Sequence, residues 1–239
     1  MKGGRVFLER LDKIISSRTG LSRKEAKSAI SSGKVFVNGA AIRSSEYKAA
    51  ETDEIIFDGK RINGKAHTYL VLNKPKGYVS ATEDPAQKTV LKLVPPDLMR
   101  SGLFPAGRLD KDTTGLMIIT DDGDFAHRIL SPKKHVSKKY AVTIDLPVTN
   151  EMAVAFEKGV MLSDGVCKTA KLEKTGEYTS FVTLSEGRYH QIKRMFGCFG
   201  AKVTELKRLS MGKFLLPDDL AEGECRELSE EETALIESR

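Results

Sequence analysis

Apolar positions change their rhythm several times along this chain, and each change marks an element. Leu8, Leu11, Ile14 and Ile15 recur at the three-to-four-residue spacing of a helix. Gly20 is placed to end it. Ser22, followed three residues later by Glu25, then opens a second helix with a capping box. Ala26, Ala29 and Ile30 form the apolar stripe of that helix and Gly33 stops it. "KVFVNGAAI" alternates around an Asn-Gly pair, the pattern of a hairpin. "DGKRINGKAH" (58–67) carries glycine and charge without a period and reads as a linker, dividing 1–66 from 67–239.

Beyond the linker the pattern is mixed. "TYLVLNKP" and "GLMIIT" are short dry strands, "KKYAVTIDL" alternates, and "TSFVTLSEG" is a strand running into "RYHQIKRMFGCFG", a helix closed by glycines. "DFAHRIL" is a helical piece stopped by Ser131-Pro132, "TNEMAVAFEKGV" a helix capped by Thr149, and "SEEETALIES" a capped terminal helix. Many strands lie too close in sequence for parallel crossovers. The expectation is therefore α+β: a small α/β unit of two helices and a hairpin, then a mixed, mostly antiparallel sheet with flanking helices.

Charge sharpens this picture. Residues 1–66 hold 14 Lys/Arg against 8 Asp/Glu, residues 67–216 hold 23 against 16, and residues 217–239 hold 2 against 9. Two basic regions suit a polyanion, and the acidic tail hides half of their charge in the overall +6. Arg23, Lys24 and Lys27 fall on the polar face of the second helix, where they can lie against phosphates. No apolar run approaches the roughly 18 residues of a membrane span. The N-terminus lacks the pattern of a secretory signal, and Cys167, Cys198 and Cys225 have no metal-binding spacing. A cytoplasmic protein with reduced thiols and no membrane partner is expected.

The stretch "FPAGRLDKDTTGLMIITDDGDF" sets Asp110, Asp112, Asp121, Asp122 and Asp124 around a dry strand. Three chemistries compete for Asp110. Asp110, Asp112, Thr114, Gly115 and Asp121 fall at positions 1, 3, 5, 6 and 12 of a calcium loop, but the closing residue is Asp instead of Glu. Pro105 and Gly107 also deny the loop its first helix. A plain turn, with Asp110 or Asp112 capping backbone N–H groups, fits any single Asp. It leaves Arg108, two residues before Asp110, without a purpose. A catalytic carboxylate would need a neighbouring cation to hold it ionised, either Arg108 or a member of the basic helix that carries Arg188, His190, Gln191, Lys193 and Arg194. On that helix His190 and Arg194 are expected on one face, as are Gln191 and Arg194. Phosphate contact alone would also explain such a helix.

Read together, "AGRLDKDTTGLMIITDDGD", "LVLNKPKGYVS", "KKYAVTI" and "SEGRYHQIKRMF" resemble the ordered motifs of pseudouridine synthases that act on bacterial ribosomal RNA, the RsuA family. "RLDKIISSRTGLSRKEAKSAISSGKVFVNG" resembles the S4 RNA-binding domain that precedes the catalytic domain in that group. These matches span nearly the whole chain. "GRYHQIKRM" is similar to the branch acting on small-subunit (16S) rRNA, whereas large-subunit branches more often carry arginines at the positions of His190 and Lys193.

The resemblance implies an isomerase with Asp110 as catalytic aspartate, Tyr140 stacking on the target base and Ile192 lining it. Lys193 would be the basic partner of Asp110, with Arg194 as the alternative. Relatives often have Arg at the position of Lys193, and a lysine supplies a point charge instead of a two-pronged fork. Arg108, Arg188, His190 and Gln191 would contact RNA. Isomerisation of uridine needs no group donor or redox partner, so no cofactor and no metal are expected. The implied partner is ribosomal RNA, free or within an assembling small subunit, and a monomer is expected. The competing readings are a large-subunit rRNA synthase and a non-catalytic S4-type RNA-binding protein.

Overall fold

The computed structural model describes residues 8–50, 52–62, 67–131, 134 and 136–238. The chain separates into two compact units, Met1–Thr68 with Met99–Leu103, and Tyr69–Leu98 with Phe104–Arg239.

In the first unit the helices Leu11–Thr19 and Arg23–Ser31 pack over a four-stranded sheet. The helical period holds at Leu11, Ile14 and Ile15, which are buried with Ala26, Ile30, Val35, Val37 and Ile55 in one cluster. Leu8 departs from it: residues Leu8–Arg10 form a strand paired with Lys48–Ala50, and the Leu8 side chain is exposed. Gly20 ends the first helix in the left-handed conformation, and the Ser22–Glu25 capping box opens the second. Asn38 and Gly39 both have positive φ, as a tight hairpin turn between Val35–Val37 and Ala40–Ala41 requires. The linker reading of 58–67 is corrected in its first half. Asp58 and Gly59 turn the chain, and Lys60–Ile62 is a strand paired with Ile55–Phe57. Two consecutive positive-φ residues make a hairpin, which composition alone does not separate from a loop. Residues 63–66 lie outside the described residues.

The second unit is built on a nine-stranded sheet. Its main path runs Lys171–Lys174, Thr179–Leu184, Lys138–Ile144, Val203–Met211, Thr114–Thr120, Tyr69–Lys74 and Cys225–Glu227. Of these neighbours only Val203–Met211 and Thr114–Thr120 run parallel; the other pairs are antiparallel. Thr114–Thr120 is buried at every position, which explains its unbroken apolar run: strands flank both edges and side chains cover both faces. Leu116 and Ile118 pack with Val71 and with Phe125, Ala126 and Ile129 of the helix Gly123–Leu130. Lys138–Ile144 alternates, with Lys138, Tyr140, Val142 and Ile144 buried on one face.

Gly115 marks the tightest point of the sheet. Its φ is +97°, and an added Cβ would lie 2.2 Å from the Arg208 carbonyl oxygen, so only glycine lets these two strands approach. Asp122 caps the helix Gly123–Leu130 by accepting from the Phe125 N–H. Thr149 caps Asn150–Lys158, and Ser229 with Glu232 forms a second capping box. Among the described residues no helix is long and apolar enough to cross a membrane, and no cluster of metal-ligand residue types forms.

Candidate active site

Asp110 sits in the turn between Phe104–Pro105 and Thr114–Thr120, and the backbone around it is held from three directions. The Thr113 N–H donates to the Asp110 carbonyl at 3.1 Å and closes the turn. On one side, the Ser80 hydroxyl donates to the Leu109 carbonyl at 2.7 Å and accepts from the Leu109 N–H at 2.9 Å. Beneath, Lys74 is fully buried and donates to the carbonyls of Pro75, Lys111 and Thr113 at 3.1, 3.3 and 2.8 Å. Burial pushes Lys74 down to about 8, while Asp112 and Asp110 pull it back up. A turn tied in this way holds the carboxylate at its tip in a fixed direction, as a reacting group requires.

The Asp110 carboxylate faces an imidazole and an ammonium group. His190 Nε2 lies 3.3 Å from one oxygen and Lys193 Nζ 3.3 Å from the other. Lys193 also donates to both oxygens of Asp112 at 2.6 and 2.8 Å. Burial tends to lower the Lys193 ammonium, but Asp112 and Asp110 together raise it above the ordinary lysine value. The Lys193 hydrogen bond holds Asp112 below the usual carboxylate range.

The basic segment is arranged differently from the single helix expected. The helix is Gln191–Gly197, and His190 caps it in the left-handed conformation at φ 47°. Arg188, Tyr189 and His190 therefore precede the helix, and His190 shares no helical face with Arg194. Arg194 turns away from Asp110 and binds Asp164 at 2.5 and 3.3 Å and the Ser163 hydroxyl at 3.1 Å. Successive helical residues are rotated by about 100°, so Lys193 and Arg194 cannot both serve Asp110. Gln191 is buried, donating to Glu186 at 2.7 Å and accepting from the Arg188 N–H at 3.0 Å. Arg188 donates to the carbonyls of Gly165 and Val166 at 3.0 and 2.6 Å. Gln191 and Arg188 thus brace the loop entering the helix.

A cavity of about 510 Å³ opens beside Asp110, a size typical of small-ligand sites. Its wall includes Arg108, Tyr140, Ile192, Leu184, Lys138 and Arg208. Tyr140 and Ile192 are 8% and 5% exposed, so the cavity has a dry aromatic and aliphatic side. Arg108 is exposed at the wall. In the segment 131–140, residues 132, 133 and 135 lie outside the described residues. Lys138 is buried, and Lys139 lies over the Phe181 ring at 4.2 Å. In the first unit Arg23, Lys24 and Lys27 are all exposed, with Lys27 4.0 Å from Asp12.

The description of the RNA pseudouridylate synthase family matches residues 68–197, more than half of the chain, including Asp110, Tyr140 and Lys193. The chain belongs to the RNA pseudouridylate synthase family. The S4 domain description matches residues 9–55 of the same chain. An uncharacterized RNA pseudouridine synthase of Bacillus subtilis is 43% identical over 233 residues, covering 95% of this chain and 98% of its own length. The ribosomal small subunit pseudouridine synthase A of Escherichia coli K12 is 43% identical over 231 residues, covering 95% and 99%. A crystal structure of a pseudouridylate synthase superposes with a TM-score of 0.67 at 40% identity, covering 95% of this chain and 99% of that one.

Four groups at the site of this synthase are not evident from sequence reasoning. Asp112 reads there as a turn residue, Lys138 as one of the basic residues of 131–140 that grip flanking phosphates, which its burial corrects, and Lys74 and Arg208 suggest no role. Only Lys74 leaves a local signal, a charged residue at the end of the otherwise apolar "YLVLNK" strand.

Proposed function

We propose that this synthase isomerises a uridine of ribosomal RNA, in the small-subunit 16S rRNA, with Asp110 as the nucleophile or base that acts on a flipped-out nucleotide. One observation carries the reading. Asp110 lies between Lys193 and His190, at 3.3 Å from each, beside a cavity walled by Tyr140 and Ile192. The small-subunit assignment is supported by the name of the Escherichia coli relative, a ribosomal small subunit synthase similar over nearly its whole length.

The chemistry follows from these groups. Pseudouridine forms when the C1′–N1 bond of uridine breaks, the uracil turns, and its C5 bonds to C1′. One carboxylate suffices, acting at the ribose as nucleophile or base. A second carboxylate to activate water is unwanted, because water must not capture the ribose. Lys193 and His190 hold the Asp110 carboxylate in place from either side. Tyr140 offers a face for the extruded base and offsets part of the cost of unstacking. Ile192 and Leu184 keep water from the detached uracil.

The N-terminal unit, 1–66, holds the enzyme on RNA through Arg23, Lys24 and Lys27, and 67–239 performs the chemistry. The enzyme works as a cytoplasmic monomer, on free rRNA or on an assembling small subunit, and needs no cofactor.

Asp110→Asn tests the assignment, since it keeps the shape and removes the charge. The variant is expected to fold and bind RNA and to form no pseudouridine. Retention of a tenth of the wild-type single-turnover rate would overturn the role of Asp110, because loss of a nucleophile or essential base costs far more than about 1.4 kcal/mol in the barrier. Mapping pseudouridine in 16S and 23S rRNA from cells lacking the protein tests the substrate.

A further inference from the structure

Two buried charged groups of the cavity, Arg208 and Lys138, have no part in the scheme above. Tyr140 pairs directly with Arg208 across the antiparallel ladder, and Lys138 stands two residues before Tyr140 on the same strand. Opposed residues, and residues two apart, share one face of a sheet. Arg208 and Lys138 accordingly line the cavity beside Tyr140, Leu184 and Leu206.

Both are buried, at 2% and 6% exposure. Arg208 Nε donates to the Leu116 carbonyl at 2.6 Å, and its buried Nη2 makes no hydrogen bond. Lys138 Nζ donates to the Val136 carbonyl at 3.1 Å. Among the described residues neither forms an ion pair. Burial first, and the charge of Arg208 second, push Lys138 down to about 8, so it still carries its proton at neutral pH. Two like charges on one dry floor are costly to the fold. The cost has a use if negative charge develops above them.

The reaction supplies such charge. Whether Asp110 attacks C1′ or takes a proton from the ribose, the electron pair of the C1′–N1 bond leaves with the base. Uracil then detaches as an anion, its charge shared among N1, O2 and O4. The pair is returned when C5 bonds to C1′, and the proton lost from C5 is balanced by one gained at N1. We propose that Arg208 and Lys138 form a cationic floor that stabilises the detached uracil anion. The proposal rests on the cavity being the uracil pocket. Fixed charges in a water-poor site act more strongly than in bulk water and need no reorganisation when the bond breaks.

The test compares single-turnover rates on a target RNA carrying uridine with those on the same RNA carrying 5-fluorouridine, followed as loss of the starting nucleoside. Fluorine at C5 withdraws electrons and stabilises the anion without help from the protein. Arg208→Met is expected to slow uridine by about 10²-fold and 5-fluorouridine by about tenfold or less. Arg208→Lys keeps the charge but loses the Nε bond to Leu116, and should retain more activity than Arg208→Met. Lys138→Met should favour 5-fluorouridine in the same way while its unfolding midpoint at pH 7 rises; it carries the test alone if Arg208→Met does not fold. Equal slowing of both substrates would mean a general loss of structure and would overturn the proposal. So would wild-type rates on uridine in both Met variants. A wild type that converts neither substrate would overturn the reading of the cavity itself, and this proposal with it, before any variant is compared.

Discussion

Lys193 gives its two shortest contacts to Asp112, at 2.6 and 2.8 Å, and stands farther, at 3.3 Å, from Asp110. Asp112 is exposed, so the pair by itself adds little stability. Its effect is positional: one carboxylate anchors the ammonium that faces the other. Lys193→Met should lower the single-turnover rate by about 10²-fold or more, as loss of a preorganised charge does. Lys193→Arg should keep part of the activity. Asp112→Asn should cost less than about tenfold, since it weakens only the anchor. Rates at saturating RNA check this. Equal losses in Asp112→Asn and Lys193→Met would make Asp112 a direct participant.

Tyr140 presents its ring to the cavity from the strand Lys138–Ile144. If the ring carries the base, Tyr140→Phe should hold more activity than Tyr140→Ala, because stacking on an aromatic face is worth about 1–3 kcal/mol per base. The comparison is made at saturating RNA. An alanine variant as active as the phenylalanine variant would remove Tyr140 from this role.

Arg23, Lys24 and Lys27 are exposed on the helix Arg23–Ser31, remote in sequence from Asp110. Changing all three to Ala should weaken RNA binding and lower kcat/KM through KM, because a second binding surface acts by tethering. The salt dependence should flatten by about one unit of slope for each phosphate that is no longer neutralised. Single-turnover rates against RNA concentration at two salt levels provide the readout. A lower plateau with unchanged half-saturation would show that the N-terminal unit shapes the active site instead.

Lys138 also makes stability depend on pH. Burial and Arg208 hold it at about 8 in the folded chain, against the ordinary 10.5. Between these values the unfolded chain binds the extra proton, so stability rises with pH across that window and is lowest below it. Lys138→Met removes this contribution. The variant should be more stable than wild type at pH 7, by at most about 3 kcal/mol, and the difference should shrink by pH 10. Urea unfolding at the two pH values measures it. A variant less stable at pH 7 would mean that packing of the Lys138 stem outweighs the buried charge.

Much of this protein is legible residue by residue. The caps at Ser22, Thr149 and Ser229 are readable because each bond spans three residues. The Asn38–Gly39 turn is readable because both residues tolerate positive φ. "GLMIIT" announces a strand buried on both faces, and "KKYAVTI" one with a single buried face. Asp110, Tyr140 and Lys193 can be named from ordered motifs, and the fold brings all three to one cavity wall or its edge.

What the sequence could not supply depends on contacts between distant segments. The choice between Lys193 and Arg194 turns on where the helix begins, and His190 sets that point by leaving the helical conformation. One step along the helix sends Arg194 to Asp164 and Lys193 to Asp110 and Asp112. Lys60–Ile62 became a strand because Ile55–Phe57 was there to pair with it. Lys138 and Arg208 look like solvent-exposed charges in the sequence, and only the ladder that sets Arg208 against Tyr140 buries them together beneath the cavity. Local hydrogen bonds are encoded by near neighbours, so the chain alone determined the caps and the tight turns. Burial and the pairing of charges are properties of the closed sheet, so the tertiary structure decided which cations face Asp110 and which lie under it.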